Sequence, residues 1–118
     1  VLAGYDGPVA VMSFNPHSVA ALGRLCPEIP RGLTTCGFTE SDWPTLSAQI
    51  REQLALIPDF DPVCASFVSH DRRDLDNPAV TALKARGAGV LCWTVKSAAQ
   101  ERDARRVADN ITFEGYLP

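Results

Sequence analysis

The sequence predicts an α/β fold in which parallel strands alternate with helices, and three observations carry that prediction. Short apolar runs of strand length recur along the 118 residues. Between them lie stretches with helical apolar spacing, two of which open on asparagine followed by proline, Asn15-Pro16 and Asn77-Pro78. Polar and aromatic residues gather where strand gives way to helix: Ser13-Phe14-Asn15, Ser69-His70-Asp71, Trp93-Thr94 and Glu114. Parallel neighbours need a crossover, so regular alternation of strand and helix points to a parallel sheet.

The elements follow in order. Val9 to Ser13 (VAVMS) reads as the first strand. Asn15 caps a helix whose apolar stripe is Val19, Leu22 and Leu25 with Ala20 and Ala21, and Pro27 and Pro30 end it. Gly32 to Thr35 is the second strand. Asp42 and Pro44 start a second helix that carries Leu46, Ile50, Leu54 and Ile57 on one face and stops at Pro58. Val63 to Val68 (VCASFV) is the third strand. Asn77 and Pro78 open the helix Ala79 to Arg86, and Gly87 supplies the closing glycine. Val90 to Val95 is the fourth strand. Ser97 caps the helix Ala98 to Val107, with Gln100 at the capping-box position. Ile111 to Phe113 is the last strand.

Two architectures accommodate this order, an open doubly wound sheet or part of a β/α barrel. An open sheet that binds a nucleotide places a glycine-rich turn after its first strand. The turn here, Phe14-Asn15-Pro16-His17, contains no glycine. The polar and aromatic residues at strand ends would form the ligand-binding rim of a barrel.

Composition narrows the function. The chain is 46% hydrophobic and 21% charged, ordinary for one globular domain spanning residues 1–118. A net charge of -3 gives no basic surface for nucleic acid. Residues 1–20 lack a basic start followed by an apolar run, and no apolar run is long enough to span a bilayer. Cys26, Cys36, Cys64 and Cys92 stand singly, with no CxxC pair to hold zinc. Cys64 and Cys92 lie in apolar strand-like runs, so buried free thiols in a reducing, cytoplasmic setting are expected.

The segments VMSFNPHSVAALGRL, RGLTT, GAGVLCWTVKS and ADNITFEGYLP, in that order, resemble the C-terminal half of the glycerophosphodiester phosphodiesterase family. The family pattern has a strand ending in Ser-Phe, a later strand ending in Trp-Thr-Val, and a closing strand ending in an acidic residue and a proline. Ser13-Phe14, Trp93-Thr94-Val95 and Ile111 to Pro118 match in order and spacing. Lys96 stands where many members have Asn or Asp, and Glu114 where most have Asp; Gly115 to Leu117 lengthen the step to the proline. The resemblance implies a β/α (TIM-type) barrel, a glycerophosphodiester substrate, and a divalent cation, Mg²⁺ or Ca²⁺.

The family's chemistry resides in its N-terminal half, in a His-Arg-Gly strand end, a Glu-x-Asp pair, a His-Asp strand end and a Glu-x-Lys strand. Cleavage of a phosphodiester needs charge neutralisation on the phosphate and proton transfer to the leaving alcohol. None of those segments is matched here, so no catalytic residue and no metal ligand is expected in this chain, and the chain alone is expected to be inactive. Glu40-Ser41-Asp42 spells Glu-x-Asp but precedes a helix start, where acidic residues favour the helix dipole. His70-Asp71 follows Ser13-Phe14, the reverse of the family order. His17 lies in a helix first turn.

The residues expected to touch substrate are Trp93 as an apolar pocket wall, Phe14 beside it, Glu114, and His70 on the rim. A core tryptophan with its N–H bonded to backbone is the alternative reading of Trp93. Trp43 is expected to pack at a helix start. Ser13 and Asn15 are expected to stand behind the contact residues.

A partial barrel leaves open strand edges and uncovered interior side chains, here expected to be Val11, Leu91 and Ile111. The expected partners are therefore the missing N-terminal half-barrel or a second copy of the chain. A non-catalytic half-barrel fragment and a small flavodoxin-like binding module are the competing functional classes.

Overall fold

The computed structural model describes residues 2–118. A single five-stranded sheet carries the chain, with all neighbours parallel and the order β1-β2-β3-β4-β5. The strands are β1 (Val11–Ser13), β2 (Arg31–Thr35), β3 (Phe67–Asp71), β4 (Gly89–Val95) and β5 (Asn110–Phe113). Sequential order excludes the flavodoxin-like alternative, because a doubly wound sheet reverses its strand order to put helices on both faces. An unreversed parallel series is instead a run of successive β/α units of a TIM-type barrel. Five strands do not close it, and β1 and β5 are the two free edges.

Four helices make the crossovers: α1 (Pro16–Leu25), α2 (Ala48–Ala55), α3 (Pro78–Ala85) and α4 (Ala98–Ala104). Their starts follow capping chemistry. Asn15 and Asn77 each accept a backbone N–H two residues on, from His17 and Ala79, with proline at the next position. Ser47 and Ser97 accept backbone N–H groups three residues on, from Ile50 and Gln100. Gly87, at φ +91, ends α3 in the left-handed conformation that glycine tolerates.

Register sorts the side chains between two faces. Leu33 pairs with Val68, Val68 with Val90, and Cys92 with Ile111, so these lie on one face. There they meet Val19 of α1, Val80 and Leu83 of α3, and Ala104 of α4, which together form the core. The alternate residues Met12, Gly32, Phe67 and Gly89 make one row on the opposite, lumenal face, and Thr34, Ser69, Leu91 and Asn110 make the next. The Phe67 ring lies on Gly32, where a Cβ would come within 2.3 Å of it.

Four expectations are corrected. The third strand is Phe67–Asp71, because Val63 and Cys64 lie in a turn with Cys64 exposed at φ +52. Cys64 is therefore not a buried thiol, whereas Cys92 is. The second helix starts at Ser47, since Asp42 is drawn into an ion pair with Arg73 instead of capping. Ile111 belongs to the helix-side core, and Val11 shares the helix-facing register of Leu33; among the three side chains expected inside the barrel only Leu91 faces the lumen. A slip of one residue in a strand moves its side chains to the other face. No helix among the described residues is long and apolar enough to cross a membrane.

Candidate functional site

The carboxyl ends of the strands carry an aromatic cluster. Trp93, near the end of β4, sits on the lumenal face in register with Asp71. Its Nε1–H donates to the Ser69 carbonyl at 2.9 Å, which fixes the indole across the sheet while leaving it partly exposed. Phe14, just past β1, meets it edge-on, with ring centroids 5.6 Å apart. Phe14 also lies 6.2 Å from Trp43, which in turn lies 5.3 Å from Phe38. Tilted and edge-to-face pairs at these separations are the favoured aromatic geometry. Trp43 and Phe38 come from the loop between β2 and α2, so a residue assigned to helix-start packing is part of the rim. The sequence reading missed both because nothing local marks where that loop folds.

Acidic residues surround this wall but are occupied. Glu114 follows β5 and pairs with Lys96 at 3.4 Å, both exposed. Asp71 ends β3 and receives Arg73 through Nε, the backbone N–H and a guanidinium nitrogen at 2.5 Å. Burial pushes the Asp71 carboxyl up, but the Arg73 hydrogen bonds and charge, with a smaller contribution from His70, outweigh it and hold it below the ordinary value. The same guanidinium bonds Asp42 at 2.9 Å, and the two carboxylates push the Arg73 pKa up.

His70 is not on the rim. It lies within β3 on the helix side, with its side chain fully buried. Nδ1 is 2.7 Å from the Thr35 hydroxyl and Nε2 is 2.9 Å from Asp74 Oδ2. Asn77 donates to that same Asp74 oxygen. Both ring nitrogens are engaged, so His70 ties β2, β3 and the 3-10 turn Arg72–Asp74 together and offers no free nitrogen to a ligand. The misplaced third strand explains the misreading: had β3 ended at Val68, His70 would have stood beyond it.

Ser69 is the one buried side-chain polar group among the described residues without a hydrogen-bond partner. It faces the lumen beneath Trp93 by register. No cluster of three or more His, Cys, Asp or Glu able to hold a metal occurs among the described residues.

No protein-family model and no curated protein matches the sequence. Solved structures do. A phosphodiesterase from Oleispira antarctica, in complex with its product sn-glycerol-3-phosphate, superposes with a TM-score of 0.66 at 20% identity, over 92% of this chain and 39% of that one. A protein of Agrobacterium tumefaciens assigned as a glycerophosphoryl diester phosphodiesterase gives 0.66 at 16% identity, over 88% and 39%. The chain has part of the glycerophosphoryl diester phosphodiesterase fold. One from Silicibacter pomeroyi, similarly assigned, gives 0.65 at 19% identity, over 88% and 33%. The chain thus spans 33% to 39% of these three structures. Within that shared fold Ser13-Phe14 and Trp93-Thr94 fall at strand ends, and Phe14 and Trp93 are in contact.

Proposed function

We propose that this chain is the C-terminal part of a glycerophosphodiester phosphodiesterase, supplying the apolar wall of the substrate pocket. The observation that supports it best is the Phe14–Trp93 pair at the carboxyl ends of a sequentially ordered parallel sheet. Ligands of β/α barrels bind at that end. In this reading Trp93 and Phe14 pack against the glycerol or alcohol portion of the diester. Glu114, held by Lys96, accepts hydroxyl hydrogen bonds at the rim. His70 fixes β2 against β3 and so sets the height of the wall.

The divalent cation that the family resemblance implies does not fit the residues present. Asp71 and Asp42, the carboxylates beside the wall, are both committed to Arg73, and no other ligand set is available among the described residues. The cation and the acid and base groups would therefore reside on complementary strands that pair with β1 and β5. The partner that fits is the remaining part of the barrel; a second copy of this chain would bring ten strands where a TIM-type barrel closes with eight. The unpaired cysteines suit a reducing compartment, and we assign the protein to the cytoplasm.

The test is a chimera in which this chain replaces the superposed segment of the Oleispira antarctica enzyme. The chimera is expected to hydrolyse glycerophosphocholine, and this chain alone to be inactive. Turnover by the isolated chain, or a folded chimera without activity, would contradict the proposal.

A further inference from the structure

Three of the four helices close onto the sheet, and one does not. α1, α3 and α4 each press a buried residue into the core, whereas α2 buries none and leaves Ile50 exposed. Between β2 and α2 lies a cavity of about 300 Å³. It runs from Leu33 and Ile57 on the core side, past Leu46 and Leu54, to Phe14 and Trp43 at the rim. Protein interiors hold few voids larger than a water molecule, so a gap of this size lined almost wholly by carbon invites an apolar occupant. Its volume is at the lower end of small-molecule pockets.

Two features identify the occupant. No cationic side chain lines the cavity, and its one charged group is Asp59; an anionic head would be repelled and an uncharged chain would not. The cavity is also continuous with the rim, since Phe14 lines it and touches Trp93. We propose that the cavity is a binding site for the hydrocarbon chain of a single-chain phosphodiester, whose polar head lies on Trp93 while the chain passes Phe14 and Trp43 into the gap under α2. The inference rests on the reading of the rim as a phosphodiester site, but the cavity can be tested apart from it.

The probes are alkylphosphocholines of increasing chain length, used below their micelle concentrations, with glycerophosphocholine as the chainless control. Binding is read from tryptophan fluorescence of this chain. Affinity is expected to rise about fourfold per added methylene and then level off once the cavity is full. Leu54→Trp, which fills the gap, is expected to abolish the dependence on length. In case that variant does not fold, a second measurement uses Trp93→Phe, leaving Trp43 as the fluorophore. Bromine beside the head should then quench Trp43, at the mouth of the cavity, more strongly than bromine at the chain end, which lies deep against Leu33 and Ile57. Affinity independent of chain length, or equal quenching by both probes, overturns the proposal while leaving the phosphodiesterase reading intact. An inactive chimera with retained length dependence would do the reverse.

Discussion

Truncating His70 to alanine removes a side chain that bonds both β2 and the Arg72–Asp74 turn. The imidazole is fully buried, so two costs add. The Thr35 hydroxyl, itself buried, loses its partner, at about 1–3 kcal/mol. The space left behind adds a cavity cost, for which large-to-small core changes give about 2–5 kcal/mol. Because imidazole is polar and its transfer gain is small, the lower part of that range applies, and the expected total is about 3–5 kcal/mol. Urea unfolding followed by circular dichroism measures it. With a slope of about 1–3 kcal/mol per molar, the midpoint should fall by more than roughly 1 M. Thr35→Val supplies the cycle: in the His70→Ala background it should cost at least about 1 kcal/mol less than in the wild type, because the two groups share a bond. A loss below about 1 kcal/mol for His70→Ala, or strict additivity with Thr35→Val, would refute a buried structural tie and restore His70 to the rim.

Two further outcomes follow. The Asp71 carboxyl is depressed in the folded state, so its pairing with Arg73 stabilises the fold above the unfolded value of 3.8 and is lost as pH falls through the lower folded value. Asp71→Asn should therefore flatten the fall in stability below about pH 4, measured as unfolding free energy against pH; an unchanged acid slope would contradict the pairing. The free edges of β1 and β5 and the uncovered lumenal face should make the isolated chain associate at micromolar concentration and bind an apolar dye. A dye-silent monomer in light scattering on dilution would show that the strand set closes on itself.

The fold was legible because its signals are local. Asn15-Pro16, Asn77-Pro78, Ser97 and Gly87 fix where chain direction changes through bonds that span two or three residues. The errors arose where tertiary contact overrode local pattern. Val63 and Cys64 are apolar and read as strand, yet the chain turns there, with positive φ at Ile57 and Cys64, residue types that carry no turn signal. Asp42-Trp43-Pro44 has the look of a helix start, but Arg73, distant in sequence, takes Asp42, and Phe14 and Phe38 gather Trp43. For the candidate site, the strand-end motif Ser13-Phe14 and the Trp93-Thr94 pair pointed to one end of the sheet, and there Phe14 and Trp93 meet. Phe38, Trp43 and the gap under α2 depend on the path of residues 36–47, which no periodicity encodes.

The central claim is that Trp93 is a pocket wall at the open end of a partial barrel. Its most direct test is Trp93→Ala in the active chimera, with kcat/KM for glycerophosphocholine and thermal stability measured on the same protein. The account predicts a loss of tenfold or more in kcat/KM, equivalent to about 1.4 kcal/mol, with a smaller loss of folding stability. Unchanged kcat/KM together with a stability loss of about 3–5 kcal/mol would make Trp93 a core residue and contradict the claim.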